Sequence, residues 1–187
     1  MAKKETEAYL QSLIHALKCI DYQDVKQVSD IFKDKIKSCN QIFMIGNGGS
    51  SATPSHSAGD FSKELGARTL CLTDNTPSVT AWANDTDYKN IFVGQLETFM
   101  DSGDLVLGYS GSGNSKNVIE AMKFAKDNGG ETIGITGNYN NKGPGEIEKY
   151  SDTMIYFQTE SMEQIEDLHL IFNHIVKEDI KLERKSR

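Results

Sequence analysis

Hydrophobic positions early in the chain recur every three to four residues, and further along they gather into short continuous runs. The early spacing predicts two amphipathic helices, over residues 4–20 and 23–38. The later runs have the length and apolar character of strands that are buried on both faces of a sheet. These predicted strands cover 41–45, 69–72, 105–109, 132–135 and 153–157.

Helical patterns separate most of these runs, and the clearest of them covers residues 115–128. A longer amphipathic pattern over 161–182 predicts a final helix. Alternating strands and helices are typical of a parallel sheet that is covered on both faces. The sequence therefore predicts an α/β fold, a doubly wound parallel sheet flanked by helices, with an N-terminal helical pair. We expect a single domain over 1–187, in which residues 1–40 pack on the core or on neighbouring subunits.

Composition and charge narrow the class of protein. The 187 residues carry a formal net charge of −7 and no long basic run, which argues against a nucleic-acid partner. Three scattered cysteines without a CxxC pair argue against a disulfide framework and against a cysteine-based zinc site. The N-terminal residues lack the apolar segment of a signal peptide, and no apolar run approaches the ~18 residues of a membrane span. These features predict a cytoplasmic protein without a membrane partner.

Two stretches rich in glycine and serine follow predicted strands. The first is GNGGSS at 46–51, and the second is SGSGNS at 110–115. Glycines let the backbone approach an anion closely, and the N–H groups that open the next helix point at it. The first stretch lacks the GxGxxG spacing of a dinucleotide loop and the Gly-Lys-Ser/Thr of a Walker A loop, and no nucleotide cofactor is predicted. For the first stretch alone, a tight turn without a ligand is an equally good interpretation. Together, at the carboxyl ends of parallel strands, the stretches predict a site for a phosphate monoester.

Four ionisable side chains on the predicted helices are candidates for chemistry beside that site. His56 and Asp60 are four residues apart and therefore share one helical face. In a straight helix, Glu166 and His174 are separated by roughly 12 Å of rise and about 80° of turn. One metal ion that touches both would need long reaches, a distorted helix or residues from two chains. From the residues alone, a solvated Glu166 and a buried, hydrogen-bonded His174 are the simpler interpretation.

The stretches GNGGSS and YSGSGNSKNV resemble the loops of the sugar isomerase (SIS) domain. Within that superfamily the chain is similar to the phosphoheptose isomerases, through its two leading helices, AWANDTDYKNIF at 81–92 and IEDLHLIFNHIV at 165–176. The resemblance implies a flavodoxin-like SIS fold and the conversion of sedoheptulose 7-phosphate to D-glycero-D-manno-heptose 7-phosphate, for activated-heptose biosynthesis in lipopolysaccharide or capsule. It also implies a homotetramer whose active sites are shared between chains.

The resemblance further implies roles for individual residues of this chain. Asp60 would be the catalytic base and His174 the acid, acting on a small-molecule sugar phosphate. The substrate-binding residues that it implies are Asn47, Gly48, Gly49, Ser50, Asp85, Ser110, Gly111, Ser112, Ser115 and Glu166. One zinc ion per active site would be held by His56, Asp60, Glu166 and His174.

Three positions depart from the pattern of the phosphoheptose isomerases. Asp60 stands where the family has Glu, Glu166 where it has Gln, and Gly111 where it usually has Thr. Because of these departures, a second interpretation stays open, in which the chain is a non-catalytic SIS protein that binds a phosphosugar or the bacterial replication initiator. A third interpretation is a phosphosugar-sensing or lyase module. The sequence shows no DNA-binding segment that would support a role as a regulator. The imidazoles and the carboxylate of His56, Asp60 and His174 favour the enzyme, because a scaffold does not need them.

Overall fold

A single parallel sheet forms the centre of the molecule in the computed structural model, which describes residues 2–185. Within that range the sheet has five strands in the order β2-β1-β3-β4-β5, so the strand order reverses between β1 and β3. The strands are β1 (Gln41–Gly46), β2 (Arg68–Cys71), β3 (Leu105–Tyr109), β4 (Glu131–Gly137) and β5 (Thr153–Phe157). The α/β fold predicted from the short apolar runs is confirmed.

Seven α-helices accompany the strands in the described part of the chain. They are α1 (Ala2–Lys18), α2 (Tyr22–Ser38), α3 (Gly49–Leu65), α4 (Thr76–Asp85), α5 (Val93–Phe99), α6 (Lys116–Asp127) and α7 (Met162–Lys185). Short 3₁₀ turns occur at Tyr88–Asn90, Tyr139–Asn141 and Glu146–Tyr150. None of these helices is long and apolar enough to cross a membrane.

The apolar residues of β1 and β3 alternate between two cores, because successive side chains point to opposite faces of a sheet. On β1, Ile42 and Met44 join the core covered by α2, α3 and α7. Phe43 and Ile45 join the second core, which α5 and α6 cover. Strands β1 and β3 are therefore buried on both faces, as the sequence predicted. The prediction is wrong for β2, which lies at the edge of the sheet and exposes Arg68 and Leu70.

The two N-terminal helices differ in how they pack. The stripe of α2 is buried, and the ring of Phe32 lies 4.7 Å from that of Phe61 on α3. Most of α1 is exposed, including Leu10 and Ile14. The hydroxyl of Tyr9 donates a hydrogen bond to Asp167 at 3.1 Å, which links α1 to α7. Some apolar side chains of α1 are thus exposed in the single chain. That they pack against a neighbouring subunit remains a prediction.

Candidate active site

The first glycine-rich stretch forms the turn between β1 and α3, at the edge of the sheet where the strand order reverses. A Cβ on Gly46 would collide with the carbonyl of Ser50, so this crossing of the backbone requires glycine. Gly48 precedes the helix with a φ of 55°, a left-handed conformation that favours glycine. The turn thus brings the first backbone N–H groups of α3 to the switch point, where α/β sheets bind ligands.

Asn47 is held by side chains from two other elements. Its amide exchanges hydrogen bonds of 2.8 Å with the amide of Asn117, which is buried on α6. The hydroxyl of Tyr88 donates to Asn47 Oδ1 at 3.0 Å. These contacts fix the first turn relative to the second loop. The sequence analysis did not select Tyr88 or Asn117, although Tyr88 lies within the family-like stretch 81–92.

The second stretch places its serines around one tight loop after β3. Ser110 and Ser115 approach each other, with their hydroxyl oxygens 3.1 Å apart. Ser112 accepts a hydrogen bond from the backbone N–H of Asn114 at 3.3 Å. The three serines therefore lie in one loop next to the N-terminus of α6, and their contact with a phosphate remains a prediction.

Gly111 is glycine for a packing reason. A Cβ at this position would collide with the sulfur of Met162, at the start of α7. The methionine side chain thus occupies the space that a threonine would need. The position of Met162 therefore fits glycine here, and the loop has no hydroxyl at this position.

Asp85 contacts its chain neighbour through its carboxylate. It ends α4, is exposed, and accepts a hydrogen bond of 2.7 Å from the amide of Asn84. Tyr88, three residues later, is the member of this segment that reaches Asn47. The role of Asp85 toward a sugar remains a prediction.

Helices α3 and α7 lie side by side and parallel, and they carry the ionisable cluster. The Nε2 atoms of His56 and His174 are 3.2 Å apart. Asp60 Oδ2 lies 3.5 Å from the first of these atoms and 3.7 Å from the second. Among residues 2–185, these three side chains form a group that could hold a metal ion, with ligand atoms all within 4.8 Å. The shared face predicted for His56 and Asp60 is confirmed.

Glu166 is not part of that group, so the four-ligand set implied by the resemblance is not assembled in this chain. Its carboxylate instead accepts a hydrogen bond from the backbone N–H of Ser50 and lies where a Cβ on Gly49 would be. The reason is the helical rise between Glu166 and His174, which spans more than two turns of α7. Burial raises the pKa of the Glu166 carboxyl, and the negative charges of Glu163 and Asp167 add to this.

A lysine that the sequence analysis did not select contacts the catalytic candidate. Lys177 Nζ lies 2.5 Å from Asp60 Oδ2 and 3.1 Å from Glu64 Oε1. The hydrogen bond from Lys177 holds the pKa of Asp60 below its ordinary value. Hydrogen bonds from Lys181 and Lys177 lower the pKa of Glu64 to about 2. Asp60 is therefore a carboxylate at neutral pH.

Comparisons with known proteins place the chain in a family. A model of the SIS domain matches residues 7–137. A phosphoheptose isomerase from Clostridium acetobutylicum is 34% identical over 191 residues, covering 97% of this chain and 95% of its relative. The chain belongs to the phosphoheptose isomerase family of SIS domains. A second member, from Aliarcobacter butzleri, is 32% identical over 178 residues and covers 92% of each chain.

The fold agrees with this family. The solved structure of a phosphoheptose isomerase from Neisseria gonorrhoeae superposes with a TM-score of 0.87 at 26% identity, covering 97% of this chain and 99% of the other. The resemblance inferred from the two glycine- and serine-rich loops is thereby confirmed. The roles assigned to individual residues of the family's site remain predictions for this chain.

Proposed function

We propose that the protein is an aldose–ketose isomerase of sugar phosphates, with sedoheptulose 7-phosphate as substrate and D-glycero-D-manno-heptose 7-phosphate as product. The observation that carries the proposal is the convergence of His56, Asp60 and His174 on two helices, the first of which begins in the glycine-rich turn after β1. Relatives that carry the name phosphoheptose isomerase, at 32% and 34% identity over nearly the whole chain, support the same activity.

The spacing of the two parts suits a sugar phosphate. His56 lies seven residues after Gly49, the first residue of α3, which is roughly 10 Å of helical rise. A phosphate held by Ser110, Ser112 and Ser115 would leave the far end of an extended sugar to reach the imidazoles. The reacting carbons of a 7-phosphoketose are at that far end, so the site separates binding from chemistry.

The reaction moves one proton between neighbouring carbons. Asp60, kept ionised by Lys177, removes a proton from C1 of the ketose while His174 gives a proton to the carbonyl oxygen at C2, forming an enediol. The reverse transfers complete the step: Asp60 returns a proton to C2, and the hydroxyl at C1 gives its proton to the imidazole as the aldehyde forms. The closest contacts of Asp60 with both imidazoles and Lys177 go to Oδ2, which leaves Oδ1 to carry the proton.

The donor set of the cluster fits a zinc ion. Two imidazole nitrogens and a carboxylate oxygen form the ligand set of many catalytic zinc sites, with a fourth position for water or substrate. We therefore propose His56, Asp60 and His174 as ligands. When bound, such an ion would occupy Nε2 of His174 and would polarise the substrate carbonyl in place of the proton from that imidazole. The Glu166 carboxylate could become a ligand of that ion only after breaking its hydrogen bond with the backbone N–H of Ser50.

We further propose that the protein works as a homotetramer in the cytoplasm, where its product feeds heptose activation for lipopolysaccharide or capsule. An apolar groove of about 430 Å³ between α2 and α7 adjoins His174 and supports a shared site. Tyr22 and Ile175, which line it, are exposed in the single chain. A second chain in this groove would bring its own residues close to the cluster.

An assay of the purified protein with sedoheptulose 7-phosphate tests the proposal. NMR detects the product, and we expect the aldose phosphate to form both in the presence of a chelator and with added zinc. A second function, non-catalytic binding of a phosphosugar, is favoured by one observation: Asp60 is already engaged by Lys177. Saturable binding of the substrate without turnover in either condition would select that function and overturn the isomerase.

A further inference from the structure

Lys177 is a buried cation for which the isomerase reaction has no direct use. It lies on α7 and is 8% exposed. Its ammonium group contacts Asp60 Oδ2 and Glu64 Oε1, at 2.5 and 3.1 Å. Burying a lysine is costly unless carboxylates compensate for the lost water. Two carboxylates from α3, those of Asp60 and Glu64, compensate here, so Lys177 is held in a fixed position beside the cluster.

The register between the helices sets this contact. Asn173 meets Ser57, Lys177 meets Asp60 and Lys181 meets Glu64, so steps of about one turn along both parallel helices pair in order. The lysine is therefore fixed one turn beyond His174 on the same side of α7. An unattached surface lysine would have no such constraint.

The ammonium and a metal ion would draw on the same oxygen. Oδ2 is the atom of Asp60 closest to the Nε2 atoms of both His56 and His174, and it is also the atom that Lys177 contacts. A divalent ion among these ligands would lie within a few ångströms of the ammonium. Like charges at that distance repel strongly in a partly buried site.

We infer that Lys177 is an internal cation that competes with a divalent metal ion for Asp60 and so weakens metal binding at this cluster. This inference rests on the proposed role of His56, Asp60 and His174 as metal ligands. Without a metal ion, Lys177 supplies the positive charge that Asp60 and Glu64 need. With a metal ion, it must give up Oδ2 and keep only its bond to Glu64.

The affinity of the substrate-free protein for Zn²⁺, measured by competition with a chromophoric chelator at constant pH, tests this inference. Lys177→Met keeps the aliphatic stem and removes the charge. It should bind Zn²⁺ more tightly than the wild type by on the order of tenfold or more. Lys181→Met is the matched control, because Lys181 contacts Glu64 but not Asp60, and its affinity should stay within about twofold.

Two additional variants keep the result interpretable. Lys177→Arg retains the charge and should show no gain in affinity. Combining His56→Ala with Lys177→Met should abolish the gain, which locates the ion at this cluster. Circular dichroism checks that each variant is folded. An unchanged or weaker affinity in Lys177→Met, or a gain that survives loss of His56, would overturn the inference. Because no substrate is present, these outcomes are independent of whether the protein turns over a sugar phosphate.

Discussion

The amide of Asn173 donates a hydrogen bond to the hydroxyl of Ser57 at 2.7 Å, and both residues are buried. Each is the chain neighbour of an imidazole in the cluster, His174 on α7 and His56 on α3. The same amide also bonds the hydroxyl of Tyr109, at the end of β3. A buried polar link therefore fixes the two helices and the sheet at the level of the candidate site.

Replacing Asn173 with leucine should destabilise the protein and loosen the imidazole pair. The change leaves the hydroxyls of Ser57 and Tyr109 without this partner, which costs about 1–3 kcal/mol of unfolding free energy. Urea denaturation measures the loss. Ser55→Ala, an exposed change on α3, is the control and should lie near zero. Equal stability of both variants would show that the link does not hold the helices.

The proton-transfer roles predict two severe losses of turnover. Asp60→Asn and His174→Ala should each lower kcat by about 10²–10⁴-fold, because general acid–base catalysis contributes that much. Binding of inorganic phosphate, followed by calorimetry, should be retained in both. His15→Ala removes an exposed histidine on α1 and is the control, with kcat unchanged. Full turnover in either active-site variant would contradict the assigned roles.

Glu166 should affect how tightly the site binds an anion. Its carboxylate takes the backbone N–H of Ser50 and adds negative charge beside the proposed phosphate site. Glu166→Gln removes that charge, and phosphate should then inhibit turnover at a concentration roughly threefold to tenfold lower. Glu178→Gln, further along α7, should leave the inhibition constant unchanged. Weaker inhibition in Glu166→Gln would indicate that the carboxylate assists anion binding.

His169 predicts a pH dependence of stability. It is fully buried between Tyr109 and Phe157, and its ring nitrogens have no hydrogen-bond partner within residues 2–185. Burial lowers its pKa from 6.5 to about 3. Between pH 6.5 and about 3, His169 is therefore protonated in the unfolded chain and neutral in the folded chain. This contribution to stability is complete above pH 6.5 and is lost as the pH falls toward 3.

His169→Leu should remove that dependence. Between pH 5.5 and 4, the unfolding free energy of the wild type should fall more steeply than that of the variant, with a difference that approaches about 1.4 kcal/mol per pH unit. Guanidinium denaturation at several pH values measures both. Parallel pH profiles for the two proteins would show that His169 is accessible to protons in the folded state.

The strands are the most predictable part of the fold, because continuous apolar runs as short as 41–45 and 105–109 are typical of strands buried on both faces of a sheet. The sequence pattern does not delimit helix α4, since none of its residues is buried and no apolar stripe marks it. The pairing of His56 with Asp60 followed from helical spacing alone. The meeting of His56 with His174 depends on the register of α3 against α7, which no local pattern contains.

The positions of Glu166 and Lys177 show the same limit. The rise along α7 already indicated that Glu166 and His174 could hardly share one ion in a single chain. It did not indicate that Glu166 would meet Ser50. Lys177 lies three residues after His174, so its shared face was readable from the sequence. Its contact with Asp60 was not, because that contact is made between helices distant in sequence.

Turnover of sedoheptulose 7-phosphate in deuterium oxide, followed by NMR, tests the central claim most directly. An enediol formed through Asp60 predicts that the aldose phosphate appears with deuterium at C2, and that Asp60→Asn slows both product formation and exchange at C1 by about 10²-fold or more. Product formed by Asp60→Asn at the wild-type rate, or no product and no exchange from the wild type with and without zinc, would contradict the account.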